Sequence, residues 1–329
     1  MTLPSEEARF AAFVATLGRG PGRSRALTRE EADTALGMVL RGEADPHQVG
    51  AFLMLLRFRG EDAEEITGMV EAVRRHAMLG WDDLGVDLDW PSYGAGRTRG
   101  APWFLLSALA LARSGITVLM HGSNDFSAGI PVEDGLAALG LRQAVDVVSA
   151  LRALRSDRFA YLPLRAMVPG LDRLLDLRRL FGLRSPVNTV ARLLNPADAP
   201  CGVDGVFHPP YIDVHLGVAE RMQRRRLLVL KGGGGEAERV PLKPGTATLW
   251  DQEVGRRELA LPAVEGLQPH PPGGDTAGLF AAVWSGELTP ATPLATIQAT
   301  IALALLALGR TGDPVQAMVD AGSIWAQRY

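Results

Sequence analysis

The sequence predicts an α/β protein: a small N-terminal α-helical domain plus a larger α/β domain with a mostly parallel central sheet. Three observations carry this prediction. The first 78 residues show helical periodicity throughout. Beyond Trp81, short aliphatic runs alternate with helical segments, the pattern of parallel strands joined by crossover helices. At 329 residues and 47% hydrophobic content, the chain can bury a core of one large or two moderate domains.

The helical part reads element by element. Thr28 followed by Glu31 is a capping box, and Ala32, Ala35, Leu36, Val39 and Leu40 recur at helical spacing behind it. Asp45-Pro46 opens a second helix, with Val49, Phe52, Leu53 and Leu56 on its buried face. A third runs from Asp62 to about His76. These helices carry more apolar face than so short a unit can bury, which predicts packing against another chain as a dimer.

In the second part, Val86–Asp89 alternates until Pro91, and Pro102–Ser114 is helical. Ile116–Met120, Phe159–Leu162, Arg226–Lys231 and Thr246–Trp250 read as strands. Val132–Gly140 and Leu171–Phe181 read as helices, the latter Arg-rich and closed by Gly182. Two more helices, Pro290–Gly309 and Asp313–Gln327, form the tail. The apolar runs at Leu105–Ala112 and Ile301–Leu308 are too short to span a bilayer, and the charged start lacks an apolar leader core. The lone Cys201 excludes an internal disulfide. Together these predict a cytoplasmic protein.

In an open parallel sheet, ligands bind at the loops that follow the strands. Three such loops carry chemistry. Gly94-Ala95-Gly96-Arg97 lets backbone N–H groups approach a phosphate. His121, Gly122, Ser123, Asn124 and Ser127 crowd an imidazole, an amide and two hydroxyls into a second. The third, Gly232–Gly235, is followed by Glu236 and Glu238, a pair suited to Mg²⁺ beside a phosphate. Each loop also has an ordinary reading as a tight turn or cap.

The net charge of −3 excludes a uniformly basic nucleic-acid binder but hides an asymmetry. Of 34 basic residues, 32 are Arg. Genome base composition explains the preference for Arg over Lys, but not its placement. Arg152, Arg155, Arg158, Arg165, Arg173, Arg178, Arg179, Arg184 and Arg192 share one stretch with only Asp157, Asp172 and Asp176, a local excess of six positive charges. Arg221, Arg224, Arg225 and Arg226 form a second knot. Such clusters fit single- or double-stranded nucleic acid or a polyphosphate, and Lys231 adds to them.

The order of motifs resembles the anthranilate phosphoribosyltransferase family, glycosyltransferase family three. The resemblance rests on Ala51-Phe52-Leu53-Met54 with Arg57-Phe58-Arg59-Gly60-Glu61 and on His121-Gly122 followed by Glu133. It also rests on Arg178 through Leu180-Phe181-Gly182-Leu183-Arg184-Ser185 to Asn188 and Leu194-Asn195-Pro196. It implies a homodimerising helical domain over 1–78, joined by a helical segment near 165–185, and an α/β domain over 79–329. It further implies phosphoribosyl pyrophosphate with Mg²⁺ between the domains and an acceptor near Arg178.

Measured against that family, the first loop lacks its aspartate, Met120 stands for a lysine, Val168 for a histidine, and Glu236-Ala237-Glu238 for an adjacent acidic pair. These departures resemble the family's non-biosynthetic YbiB-type branch, associated with nucleic-acid binding. The expected function is therefore nucleic-acid binding through the Arg-rich surface. The alternative is a phosphoribosyltransferase with an altered acceptor.

Overall fold

The structure, a computed structural model, describes residues 5–20, 22–78, 80, 84–94, 100–123, 125–127, 129–271 and 274–329. Four helices come first: α1 (Glu6–Gly18), α2 (Arg29–Arg41), α3 (Pro46–Arg59) and α4 (Ala63–Ala77). The Thr28–Glu31 capping box starts α2, and Asp62 with Glu65 forms a second box on α4. Glu65 does more than cap. Its fully buried carboxylate accepts from Leu27 N at 2.9 Å, Asp62 N at 3.1 Å and Arg59 Nη2 at 2.6 Å. One side chain thus joins the α1–α2 connection, the end of α3 and the start of α4.

Strands and helices then alternate: β1 (Leu88–Ser92), α5 (Trp103–Arg113), β2 (Val118–Gly122), α6 (Val132–Ala138), α7 (Val147–Asp157) and β3 (Phe159–Pro163). Short helices follow: α8 (Leu164–Met167), α9 (Pro169–Asp176), α10 (Arg178–Phe181) and α11 (Val187–Arg192). The chain continues through β4 (Cys201–Val206), α12 (Tyr211–Arg221), β5 (Arg226–Lys231), β6 (Gly245–Asp251) and β7 (Gly255–Leu261). It closes with α13 (Ala277–Ser285), α14 (Ala291–Ala307) and α15 (Pro314–Ala326).

The seven strands form one sheet in the order β3-β2-β1-β4-β5-β6-β7. The first five are parallel, and β6 and β7 add an antiparallel edge. Strand order reverses between β1 and β4, so the crevice beyond their carboxyl ends is where such a sheet takes ligands. Alternate residues of each strand feed two cores. Helices α5, α13, α14 and α15 cover one face. On the other, α1–α4 share a core with α8, α9, α11 and α12.

Several sequence readings shift. Pro91 sits inside β1 rather than ending it, whereas β3 does end at Pro163, its last residue. Strand β2 starts at Val118 and carries His121 and Gly122, which the sequence reading placed in a loop. The Arg-rich helix expected over Leu171–Phe181 is two helices, α9 and α10, divided at Leu177. Strands β4 and β7 and helix α7 are additional elements.

Removing the Glu65 carboxylate leaves Arg59 and two backbone donors facing a buried void. Glu65→Ala should destabilise the fold by about 3 kcal/mol in urea denaturation. Burial also pushes the Cys201 thiol up to about 12. Labelling by a thiol reagent at pH 8 should therefore be slow in the native protein and fast in denaturant.

A candidate ligand crevice at the sheet switch point

Arg192, at the end of α11, sits in the middle of the crevice and is 7% exposed. Its Nη2 donates to Tyr93 O at 2.6 Å. Its Nη1 donates to Gly235 O at 2.6 Å and Gly205 O at 3.3 Å. One guanidinium therefore ties the loop after β1, strand β4 and the glycine turn after β5. Its guanidinium carbon also lies 5.9 Å from the centre of the Tyr93 ring. The expectation that Arg192 faces a nucleic acid is corrected: all three hydrogen bonds are internal.

A buried chain continues from Tyr93. The Tyr93 hydroxyl shares a 2.9 Å hydrogen bond with His121 Nδ1. Asp89 Oδ1 lies 3.2 Å from His121 Nε2. Arg224 approaches the other Asp89 oxygen at 3.8 Å and donates to Leu193 O. Burial, reinforced by Asp89, holds the Tyr93 hydroxyl well above the ordinary tyrosine range. His121 was expected to meet a phosphate. It is instead fully buried with both ring nitrogens facing protein groups, so it positions the strand ends.

Two glycines permit this close assembly. A Cβ on Gly122 would stand 1.9 Å from Ser92 O, and one on Gly205 would stand 2.1 Å from the Glu236 carbonyl carbon. Neither could be accommodated without moving backbone.

The candidate metal carboxylates have different roles. Glu238 Oε2 accepts from Phe104 N at 2.9 Å, and Asp275 Oδ2 accepts from Ala101 N at 2.7 Å. Both thereby satisfy donors around the N-terminus of α5, where a bound anion would otherwise be favoured. Asp275 is held in turn by His270 Nε2 at 2.7 Å. Glu236 is 1% exposed behind the glycine turn. Among the described residues, no group of three or more His, Cys, Asp or Glu could hold a metal ion. An Mg²⁺ ion that takes one or two carboxylates plus ligand phosphates does not require such a group.

The remaining candidates are spread out. Gly94 is buried beside Tyr93, Ser123 N donates to Ser92 O at 3.1 Å, and Ser127 lies in the loop after β2. Ala95, Gly96, Arg97 and Asn124 lie outside the described residues. Arg178 and Arg179 stack over Phe126 at 4.7 and 5.1 Å, joining that loop to α10. Arg152, Arg155, Arg158, Arg165, Arg173, Arg179 and Lys231 are exposed. They do not share one face. Arg158 precedes β3 and Arg165 follows it, so they lie about 16 Å apart along a five-residue strand. The second knot is mostly structural: Arg221 pairs with Glu64, Arg226 with Asp251, and Arg224 is buried.

Continuous with the crevice at Arg192, Gly205 and Gly235 is a cavity of about 160 Å³, lined further by Arg57, Arg184, Ser185, Asn188, Phe207 and Tyr211. Sequence patterning does not single out Asp89, Asp275 or this cavity as sites. Asp89 falls in the polar phase of the Val86–Asp89 alternation, so the pattern reads it as outward, whereas both faces of β1 are buried.

Residues 6–77 match the family model described as "Glycosyl transferase family, helical bundle domain", and residues 104–270 match its α/β domain. An anthranilate phosphoribosyltransferase of Moorella thermoacetica is 31% identical over 304 residues, covering 90% of this chain and 89% of the relative. The chain belongs to this glycosyl transferase family.

Another anthranilate phosphoribosyltransferase, from Pelobacter propionicus, is 27% identical over 320 residues and 89% of both chains. Two solved family structures show the same fold. The Thermus thermophilus anthranilate phosphoribosyltransferase has a TM-score of 0.79 at 24% identity, covering 97% of this chain and 95% of its own. The Saccharomyces cerevisiae enzyme, in complex with PRPP and Mg, has a TM-score of 0.77 at 18% identity and covers 98% and 95%. The family thus explains the helical bundle against a mostly parallel sheet.

Because Arg192 serves three segments at once, Arg192→Leu should destabilise the protein by about 3 kcal/mol, read by urea denaturation. Gly205→Ala should destabilise by about 2 kcal/mol through overpacking against Glu236.

Proposed function

We propose that this chain is a non-biosynthetic member of its family, of the YbiB-type branch, that binds nucleic acid through arginine–phosphate contacts. The observation that carries this reading is how the charged groups are deployed. The carboxylates near the glycine turn are buried or used on α5. By contrast, Arg173, on the crevice side after β3, is exposed and makes no side-chain ion pair or hydrogen bond among the described residues, and Arg152, Arg155 and Arg158, on α7 and before β3, are likewise exposed without one. Arginines without carboxylate partners are what a phosphate backbone engages. The binding surface is the crevice side, where Arg165, Arg173, Arg178 and Arg179 follow β3 and Lys231 ends β5. Binding there is backbone-directed and has little sequence preference.

The protein acts as a homodimer in this reading. Phe58, at the end of α3, is 93% exposed, and Leu180 on α10 is 81% exposed. Apolar side chains so placed favour burial against a second copy.

A second reading is favoured by the Moorella thermoacetica relative, whose similarity spans both domains. The chain would then be a phosphoribosyltransferase with an altered acceptor, bound near Arg178, that takes phosphoribosyl pyrophosphate at the crevice.

Fluorescence anisotropy with a labelled 20-nucleotide single strand and the matching duplex separates the two. Nucleic-acid binding should weaken steeply from about 50 to 200 mM salt. Arg173→Gln with Arg179→Gln should lower the log–log salt slope by about two, one for each phosphate no longer neutralised. No binding at low salt overturns the first reading. Calorimetry with phosphoribosyl pyrophosphate and Mg²⁺ should give no heat. Binding heat that Glu236→Gln removes would establish the second reading.

A further inference from the structure

The cavity that continues the crevice is lined from three directions: by the junction of α3 and α4, by the segment entering α11, and by the end of β4. At about 160 Å³ it matches the size of a cavity that holds one benzene ring. Its polar groups are not equivalent. Arg184 is half-buried and its side chain makes no hydrogen bond or ion pair among the described residues. The Ser185 hydroxyl and the Asn188 amide likewise make no hydrogen bond among them. These three groups lie within five residues of sequence and line the same space.

The charge balance of the cavity is positive. Arg57 and Arg192 stand in its wall with Arg184. Arg57 is bonded to the neutral Tyr211 hydroxyl, and Arg192 to backbone carbonyls. His215 is already matched by Asp204 at 2.7 Å. Among the described residues, Glu61 is the one carboxyl in the lining. It accepts from Tyr211 at 2.9 Å, and burial raises it above its ordinary value. The consequence appears on Arg184, lowered to about 10 by burial and by Arg192, Arg178 and Arg57, against a smaller opposing pull from Glu236. A half-buried guanidinium with donors beside it and cations around it is relieved by an anion. With more than one positive charge in excess, a dianion matches better than a monoanion.

We propose that this cavity binds a small phosphate monoester, its phosphate held by Arg184, Ser185 and Asn188 and its ring-sized organic part directed toward Phe207 and Tyr211. This site is separate from the exposed arginines assigned to nucleic acid and does not rest on that reading.

Titration calorimetry of the full chain with phenyl phosphate and with benzoate tests the proposal. Phenyl phosphate should bind once per chain, at least about tenfold more tightly than benzoate, because the dianion answers the excess charge. Arg184→Met should weaken it by about tenfold or more, while the unliganded melting temperature stays the same or rises as the repulsion among guanidinia is relieved. Arg155→Gln, on the distant α7, should leave it unchanged. If Arg184→Met does not fold, Asn188→Leu reads the same site and should weaken phenyl phosphate comparably. Absence of phenyl phosphate binding, benzoate binding as tightly, or indifference to the cavity substitutions overturns the proposal. Displacement of a bound oligonucleotide by phenyl phosphate also overturns it, because the cavity would then be a backbone-phosphate pocket. Independent binding of the two ligands supports it.

Discussion

The Arg192 guanidinium holds the functional end of this molecule together. Three chain segments leave the carboxyl ends of the sheet at its switch point, and each turns a backbone carbonyl inward. Buried carbonyls without donors are destabilising. A planar cation with several N–H groups satisfies all three at once, which a lysine ammonium or a neutral amide could not do with the same reach. Because Tyr93 is held this way, its hydroxyl meets His121, and His121 stands over Asp89. The geometry of the strand ends is a consequence of that one side chain.

A second constraint operates on the other face of the sheet. The N-terminus of α5 carries unsatisfied N–H groups and a partial positive charge. Glu238 and Asp275 supply acceptors from distant parts of the chain. The helix end that could have held a phosphate is thereby compensated internally. Positive charge instead accumulates around the cavity bounded by Arg57, Arg184 and Arg192 and on the exposed arginines. The carboxylates thus stabilise the scaffold, and the arginines carry the capacity to bind anions.

Much of the fold was legible in the sequence. Caps such as Thr28 with Glu31 are local, because each depends on residues one turn apart. Aliphatic runs such as Arg226–Lys231 announce a buried parallel strand by composition alone. Strand β4 was not legible, because Cys201–Val206 contains two glycines and an aspartate. Its Gly205 is there for the approach of the Glu236 backbone, a contact between residues far apart in sequence. The break between α9 and α10 was hidden for a related reason: the apolar periodicity runs through it.

What the sequence determined by itself was the helical start, the α/β remainder, the glycine turns after the strands and the excess of arginine. Those features depend on neighbours and on composition. What only the tertiary structure decided was the role of each charged residue. Arg155, Arg184 and Arg192 look alike in the linear run. One is exposed, one lines a cavity with no partner among the described residues, and one is buried on three carbonyls. That division follows from where the chain brings carbonyls and carboxylates within hydrogen-bond reach, and the spacing of residues along the sequence does not encode it.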